Sequence, residues 1–197
     1  MESKSLKSAR LFVAAWADEP TRLAAMKAKA RLEKRCRNEA TAIKWVEREN
    51  LHLTVRFLGD VALDALGSLR EALERAAQTP SFDIDLRGLG AFPNRQRPEV
   101  IWVGVARGAE KLAHLAERLN AELVALGFEK DARPFHAHLT LGRARKSTLR
   151  ALPDALLAET DAPISTLRIE AIHLVKSILA PSGPTYETMA TARLTGA

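Results

Sequence analysis

The sequence predicts an α+β protein built from two similar halves, and three observations carry that prediction. A His-Leu-Thr tripeptide followed by an aliphatic residue occurs twice, as His52-Leu53-Thr54-Val55 and as His138-Leu139-Thr140-Leu141. The same order of elements surrounds each copy: strand, long helix, motif strand, shorter helical segment, strand. The composition, 47% hydrophobic and 27% charged over 197 residues, is that of a packed globular chain. Together these give one domain over residues 1–197, a pseudo-twofold, bilobal arrangement of halves at about 10–92 and 99–194 with the motif strands facing each other.

In chain order, Arg10 to Ala17 reads as a first strand. Its apolar part follows Lys4, Lys7 and Arg10 as a signal peptide would, but Asp18 and Glu19 end it after seven residues. Pro20 opens a helix to about Cys36, with Leu23, Met26 and Ala30 as the expected buried stripe and a basic outer face. A short strand at 43–46 precedes the first motif strand, about 50–58, which Gly59-Asp60 is expected to break. Leu66, Leu69, Leu73 and Ala76 recur at helical spacing, and Phe82, Ile84 and Leu86 alternate as in a strand.

Pro93 to Pro98 is a turn at the midpoint, followed by a continuous apolar strand at 100–105. Leu112, Leu115, Leu119, Leu123 and Leu126 define the clearest helix, with Gly127 at its C-cap. The second motif strand follows. A weaker helical segment at 148–159 contains Pro153, residues 164–174 read as one strand, and a last strand spans about 186–194 after a turn at Pro181-Ser182-Gly183-Pro184.

Random order of five histidines and twelve threonines supplies about 0.3 His-x-Thr pairs, fewer than the two present. In a strand, residues i and i+2 share a face. His52, Thr54 and Arg56 then point one way, and Leu51, Leu53, Val55 and Phe57 point into a core. In the second copy His136, His138, Thr140 and Gly142 oppose Phe135, Leu139 and Leu141. Imidazole titrates near neutrality, so one ring can be neutral while another is protonated, as paired general base and general acid require. Thr54 and Thr140 can donate to phosphate oxygens, and Arg143 and Arg56 can add charge-assisted bonds. A site with these parts needs neither metal nor cofactor.

The formal charge of +6 and pI near 9.8 suit an anionic partner. One cysteine, Cys36, excludes an intramolecular disulfide and a cysteine-based zinc site, and fits a reducing compartment. No apolar run approaches the ~20 residues that span a bilayer. The expectation is a cytoplasmic monomer with no membrane contact.

At these residues the chain resembles the two-histidine phosphoesterase superfamily, whose signature is a pair of His-x-Thr-x motifs. More narrowly it resembles the RNA 2′,3′-cyclic phosphodiesterases, also called 2′-5′ RNA ligase-like. The likeness extends to Arg10-Leu11-Phe12-Val13-Ala14, Asn50-Leu51 with Phe57-Leu58-Gly59, Val100-Ile101-Trp102-Val103-Gly104, Pro134-Phe135-His136, and Ser177-x-Leu179 through Gly183-Pro184-x-Tyr186. Gly142 stands where relatives often carry a bulkier residue. The resemblance implies two antiparallel β-sheets lining a central cleft with α-helices outside. It also implies an RNA substrate ending in a 2′,3′-cyclic phosphate, hydrolysed to a 2′-phosphate, with His138 as proton acceptor and His52 as proton donor. Reversible 2′-5′ RNA ligase activity is implied beside it.

Other readings stand beside this one. His136, His138 and His52 can supply three imidazoles to zinc, which leaves both threonines unexplained. The cleft can serve another cyclic or 2′-5′-linked nucleotide, or bind RNA without catalysis. Arg133, Arg145, Lys146 and Arg150 can line an RNA path or be solvated. Trp16, Trp45 and Trp102 are core by default but can stack a base where they face the cleft. His114 and His173 read as solvated and as hydrogen-bonded, respectively.

Overall fold

The structure, a computed structural model, describes residues 8–131, 134–145, 150, 152–180 and 183–196, without the side chains of Arg37 and Asn38. In chain order the elements are β1 (Ser8–Trp16), α1 (Glu19–Cys36), β2 (Ile43–Trp45), β3 (His52–Ala62), α2 (Leu66–Ala76), β4 (Phe82–Pro93), β5 (Pro98–Arg107), α3 (Ala109–Ala125), β6 (His138–Ala144), α4 (Leu152–Leu157), β7 (Pro163–Ile169), β8 (Ala171–Ala180) and β9 (Gly183–Arg193).

The strands form a curled antiparallel sheet in the order β7-β4-β5-β6-β3-β1-β8-β9, with β2 beside β6. Two four-stranded halves meet at one seam, where β3 and β6 pair through Leu53 and Leu139. The expected two sheets are therefore continuous at the motif strands. Pairing is interleaved along the chain: β4 lies between β5 and β7, and β8 and β9 return to β1. The units β1-α1-β3 and β5-α3-β6 occupy equivalent places about the seam.

One face of the sheet is dry. Leu11, Val13, Ala15, Leu53, Ile101, Val103, Leu139 and Leu141 are almost fully buried there with Leu112, Leu115, Leu119 and Leu123 of α3. Each leucine, isoleucine or valine among them contributes about 1.5–3 kcal/mol through burial. The helix α3 ends as its sequence predicts: Gly127 takes φ +90°, and the amide of Phe128 reaches back to the Leu123 carbonyl.

The structure corrects four expectations. The buried stripe of α1 is Thr21, Ala25, Ala28, Leu32 and Cys36, while Leu23 is half exposed. Small residues let α1 lie close to β7, where the Thr21 hydroxyl meets Ser165 Oγ at 3.0 Å. Gly59 does not end β3, which runs on to Ala62 with φ +75° at Gly59 beside a bulge. The segment at 164–174 is two strands that separate at Glu170 and pair with different partners.

The fourth correction concerns alternation in β3. Its register with β1 slips twice: Ala14 faces Thr54 but Val13 faces Arg56, and Phe12 faces Phe57 but Leu11 faces Gly59. The first slip inserts Val55 and turns the next residues over. Arg56 therefore shares the core side with Val13, and Phe57 shares the opposite side with Phe12, 6.1 Å away between ring centres.

Candidate active site

Between the edges of the curled sheet, the face opposite the helices carries both motifs. Thr54 is in register with Ala14 and His52 with Trp16, and on the other side Thr140 is in register with Trp102 and His138 with Gly104. Continuing the Leu53–Leu139 pairing by one residue each way sets His52 opposite Thr140 and Thr54 opposite His138. The two His-x-Thr units thus meet crosswise at the seam.

Each imidazole is fixed in the same way. His52 Nδ1 lies 2.7 Å from the Asn50 carbonyl, and His138 Nδ1 lies 2.7 Å from the His136 carbonyl. A carbonyl only accepts, so Nδ1 carries the proton in both rings and Nε2 is left for proton transfer. Asn50 is itself held, its side-chain amide donating to the Pro184 carbonyl at 3.2 Å. Neither threonine hydroxyl is engaged by another described residue.

Aromatic rings wall each histidine. Around His52 stand Phe12 at 5.1 Å, Trp16 at 5.4 Å and Tyr186 at 5.3 Å between ring centres. Tyr186 also meets Phe12 and Trp16, the neighbours on either side of fully buried Ala14. Around His138 stand Phe92 at 5.1 Å, His136 at 6.2 Å and Trp102 at 6.5 Å. The Trp102 ring lies flat over Gly90, where a Cβ would sit only 2.2 Å from it.

Burial lowers the proton affinity of His52 below histidine's ordinary value; the Asn50 carbonyl opposes this, and the charges of His138 and Arg143 add to it. Burial likewise lowers that of His138, opposed by the His136 carbonyl and reinforced by the charges of His136 and Arg143. Burial raises that of Tyr186 while Arg143 and Arg10 pull it down. Arg143 therefore acts on all three groups. A bulge explains its orientation: Trp102 faces Thr140 but Ile101 faces Gly142, so Leu141 is an extra residue and Arg143 returns to the cleft side.

The structure brings His52, His138, Thr54, Thr140 and Arg143 to one place, and it puts Arg56 elsewhere. Arg56 pairs with Asp131 at 2.7 Å and donates to the Glu129 carbonyl, tying the chain after α3 to β3. Its side chain is only 11% exposed, so it is a strut and not a phosphate ligand. Gly142 is packed under β2, where a Cβ would meet Ile43 and Trp45 at 2.9 Å. Trp45 packs on the core beneath Lys29, whereas Trp16 and Trp102 face the cleft. His173 bonds to Thr191 at 2.9 Å, and His114 is exposed. Arg145 and Arg150 are exposed, and Arg133 and Lys146 lie outside the described residues. Among the described residues no three His, Cys, Asp or Glu side chains converge as metal ligands, and no helix is long and apolar enough to cross a membrane.

Sequence reasoning missed Tyr186 and Phe57 as site residues. A signal for Tyr186 was available in β1, where Phe12-x-Ala14-x-Trp16 makes the second face as apolar as the first and so requires a cover. No signal announced the bulge that exposes Phe57.

Comparison with known proteins fits this geometry. Residues 19–179 match the family model of the 2′-5′ RNA ligase superfamily. The chain belongs to that superfamily. Among its relatives is an RNA 2′,3′-cyclic phosphodiesterase of Aeropyrum pernix, 37% identical over 161 residues that make up 81% of this chain and 91% of the relative. Another, from Archaeoglobus fulgidus, is 36% identical over 149 residues, 76% of this chain and 82% of the relative. Proteins of known structure agree in fold. Escherichia coli LigT complexed with 3′-AMP superposes with a TM-score of 0.76 at 27% identity, covering 96% of this chain and 99% of LigT. A Thermus thermophilus protein gives 0.77 at 29% identity, covering 95% of this chain and 98% of its own.

Proposed function

We propose that the chain is a hydrolase that opens the 2′,3′-cyclic phosphate at an RNA end to a 2′-phosphomonoester, using His52 and His138 as its acid and base. The observation that carries this reading is the matched pair of imidazoles, each with Nδ1–H fixed on the carbonyl two residues earlier and Nε2 left over. The names of the relatives support the substrate.

In this mechanism Thr54, Thr140 and Arg143 hold the non-bridging phosphate oxygens at the seam. The neutral His138 takes a proton from water at Nε2 as the water oxygen attacks phosphorus. The bond to the 3′ oxygen breaks on the opposite side, and His52 Nε2–H supplies the proton that this oxygen needs. The order of roles follows the family resemblance, because both rings share the same influences: burial, a neighbouring imidazole and Arg143 lower the proton affinity of each, and a backbone carbonyl raises it. One proton is taken and one is given, so the enzyme returns to its starting state after exchange with solvent. With a ribose 5′-hydroxyl in place of water as the nucleophile, the same groups perform 2′-5′ ligation.

The test is hydrolysis of an oligoribonucleotide ending in a 2′,3′-cyclic phosphate, with the product position assigned, with and without chelator. The expected product is the 2′-phosphate, insensitive to chelator. His52→Ala and His138→Ala are each expected to lose about 10²–10⁴-fold in rate, with little further loss in the double variant. A 3′-phosphate, dependence on metal, or retained activity in either variant contradicts the mechanism.

A further inference from the structure

Beside His138 the sheet leaves open a space that its counterpart fills. The residue in register with His52 is Trp16, and the residue in register with His138 is Gly104. Next to Gly104 a crevice of about 440 Å³ runs between the chain before β6 and the start of α3. Its lining includes Trp102, His136 and Phe135, Val105 and Ala113, and Glu110. That volume and that apolar, aromatic lining suit a flat organic ligand. Trp102 and His136 stand 5.3 Å apart with their planes inclined at 60°, so a ring inserted here can lie on either face.

Glu110 is an acidic residue of this lining and stands in the first turn of α3, where a carboxylate suits the helix dipole. It is exposed and makes no ion pair or hydrogen bond with another described residue. The nearest basic side chain that senses it, Arg107, is already committed to Asp85 by two bonds of 2.7 and 2.9 Å. An exposed acidic residue thus borders an aromatic crevice in a chain of net charge +6. Two rings of the lining, His136 and Trp102, stand 6.2 and 6.5 Å from the His138 ring between centres.

We propose that this crevice holds the base of the terminal nucleotide and that Glu110 selects guanine, a specificity that rests on the phosphodiesterase reading above. A carboxylate only accepts hydrogen bonds. Guanine alone presents two N–H donors side by side, at N1 and the exocyclic amine, which a carboxylate engages with both oxygens. Adenine and cytosine set a ring acceptor beside their amino group. Uracil flanks its one N–H with two carbonyl oxygens that the carboxylate repels. The order of preference is guanine, then adenine and cytosine, then uracil.

The experiment measures kcat/KM for four dinucleotides that differ only in the terminal nucleoside carrying the 2′,3′-cyclic phosphate, with wild type and Glu110→Ala. In parallel, equilibrium binding of the four nucleoside 3′-monophosphates is measured with both proteins. Wild type is expected to favour guanosine over uridine by about tenfold or more, the scale of a hydrogen bond to a charged group. In Glu110→Ala the ratio falls toward one. Equal constants for all four bases in wild type, or a guanine preference that survives in Glu110→Ala, overturn the base site. Absence of turnover with all four substrates overturns the phosphodiesterase reading instead. In that event a guanine preference in binding that Glu110→Ala erases still upholds the base site, and equal binding overturns it.

Discussion

The half built from β3, β1, β8 and β9 and the half built from β6, β5, β4 and β7 present the same chemistry on opposite packing. Across the first half, the row through the threonine runs Thr54, Ala14, His173; across the second it runs Thr140, Trp102, Gly90. Beside the histidine the order is reversed, Trp16 in one half and Gly104 in the other. Where one half is bulky the other is small. Small Ala14 lets Tyr186 settle against His52 and close that side, whereas Gly104 leaves the side of His138 open. The lesson is that backbone symmetry supplies two similarly held imidazoles, and the neighbours in register give them different surroundings.

This comparison can be broken most severely at its cover. Tyr186→Ala removes one of three rings that fix His52 and is expected to lower kcat by roughly ten- to a hundredfold through misplacement of the acid, while Tyr186→Phe keeps most of the activity. Phe92→Ala is expected to cost less, because His138 keeps Trp102 and His136. Proton NMR titration separates packing from chemistry: with its burial relieved, the His52 titration in Tyr186→Ala moves up toward the ordinary value. An unchanged titration would show that Tyr186 does not bury His52.

A smaller effect sharpens the division of roles. The charge of His136 lowers the proton affinity of His138, so His136→Phe, which keeps a ring beside Trp102, should move the acidic limb of the kcat/KM profile to higher pH. A limb that stays in place would remove His136 from the tuning of the base.

The smallest effect is on stability. His52, His138 and His173 all have proton affinities lowered by burial in the fold. Between their folded values and the unfolded value of about 6.5, the unfolded chain binds more protons, so stability falls as the pH falls through that window. Urea midpoints measured downward from about pH 7.5 should decline below about 6.5. His173 has no imidazole counterpart across the seam, and His173→Gln is expected to flatten the decline in proportion to one group.

Much of this molecule is legible in its sequence, for physical reasons that also mark where legibility ends. Strong periodicity locates α3 and both motif strands, because each is a run whose apolar residues repeat with one period, and turn-forming residues locate the Pro93–Pro98 hairpin. His52, Thr54, His138 and Thr140 share a face because no bulge intervenes within either triplet. Arg56 and Phe57 lie one insertion further on and exchange sides, since a single extra residue inverts all that follows. The stripe of α1 is hidden because Leu23 outweighs Ala25 and Ala28 in hydrophobicity, although close packing on β7 favours the smaller residues. The order of strands depends on contacts between distant segments, and periodicity carries no information on that.

The bond from the Asn50 side chain to the Pro184 carbonyl joins positions 134 apart in sequence. Contacts of such separation form late, because closing a long loop costs chain entropy before any packing repays it. A growing chain that already carries both histidines still lacks β8 and β9, hence Tyr186 and the anchor of the Asn50 carbonyl that orients His52. The surroundings of His52 are therefore complete only when the last strands close over the first.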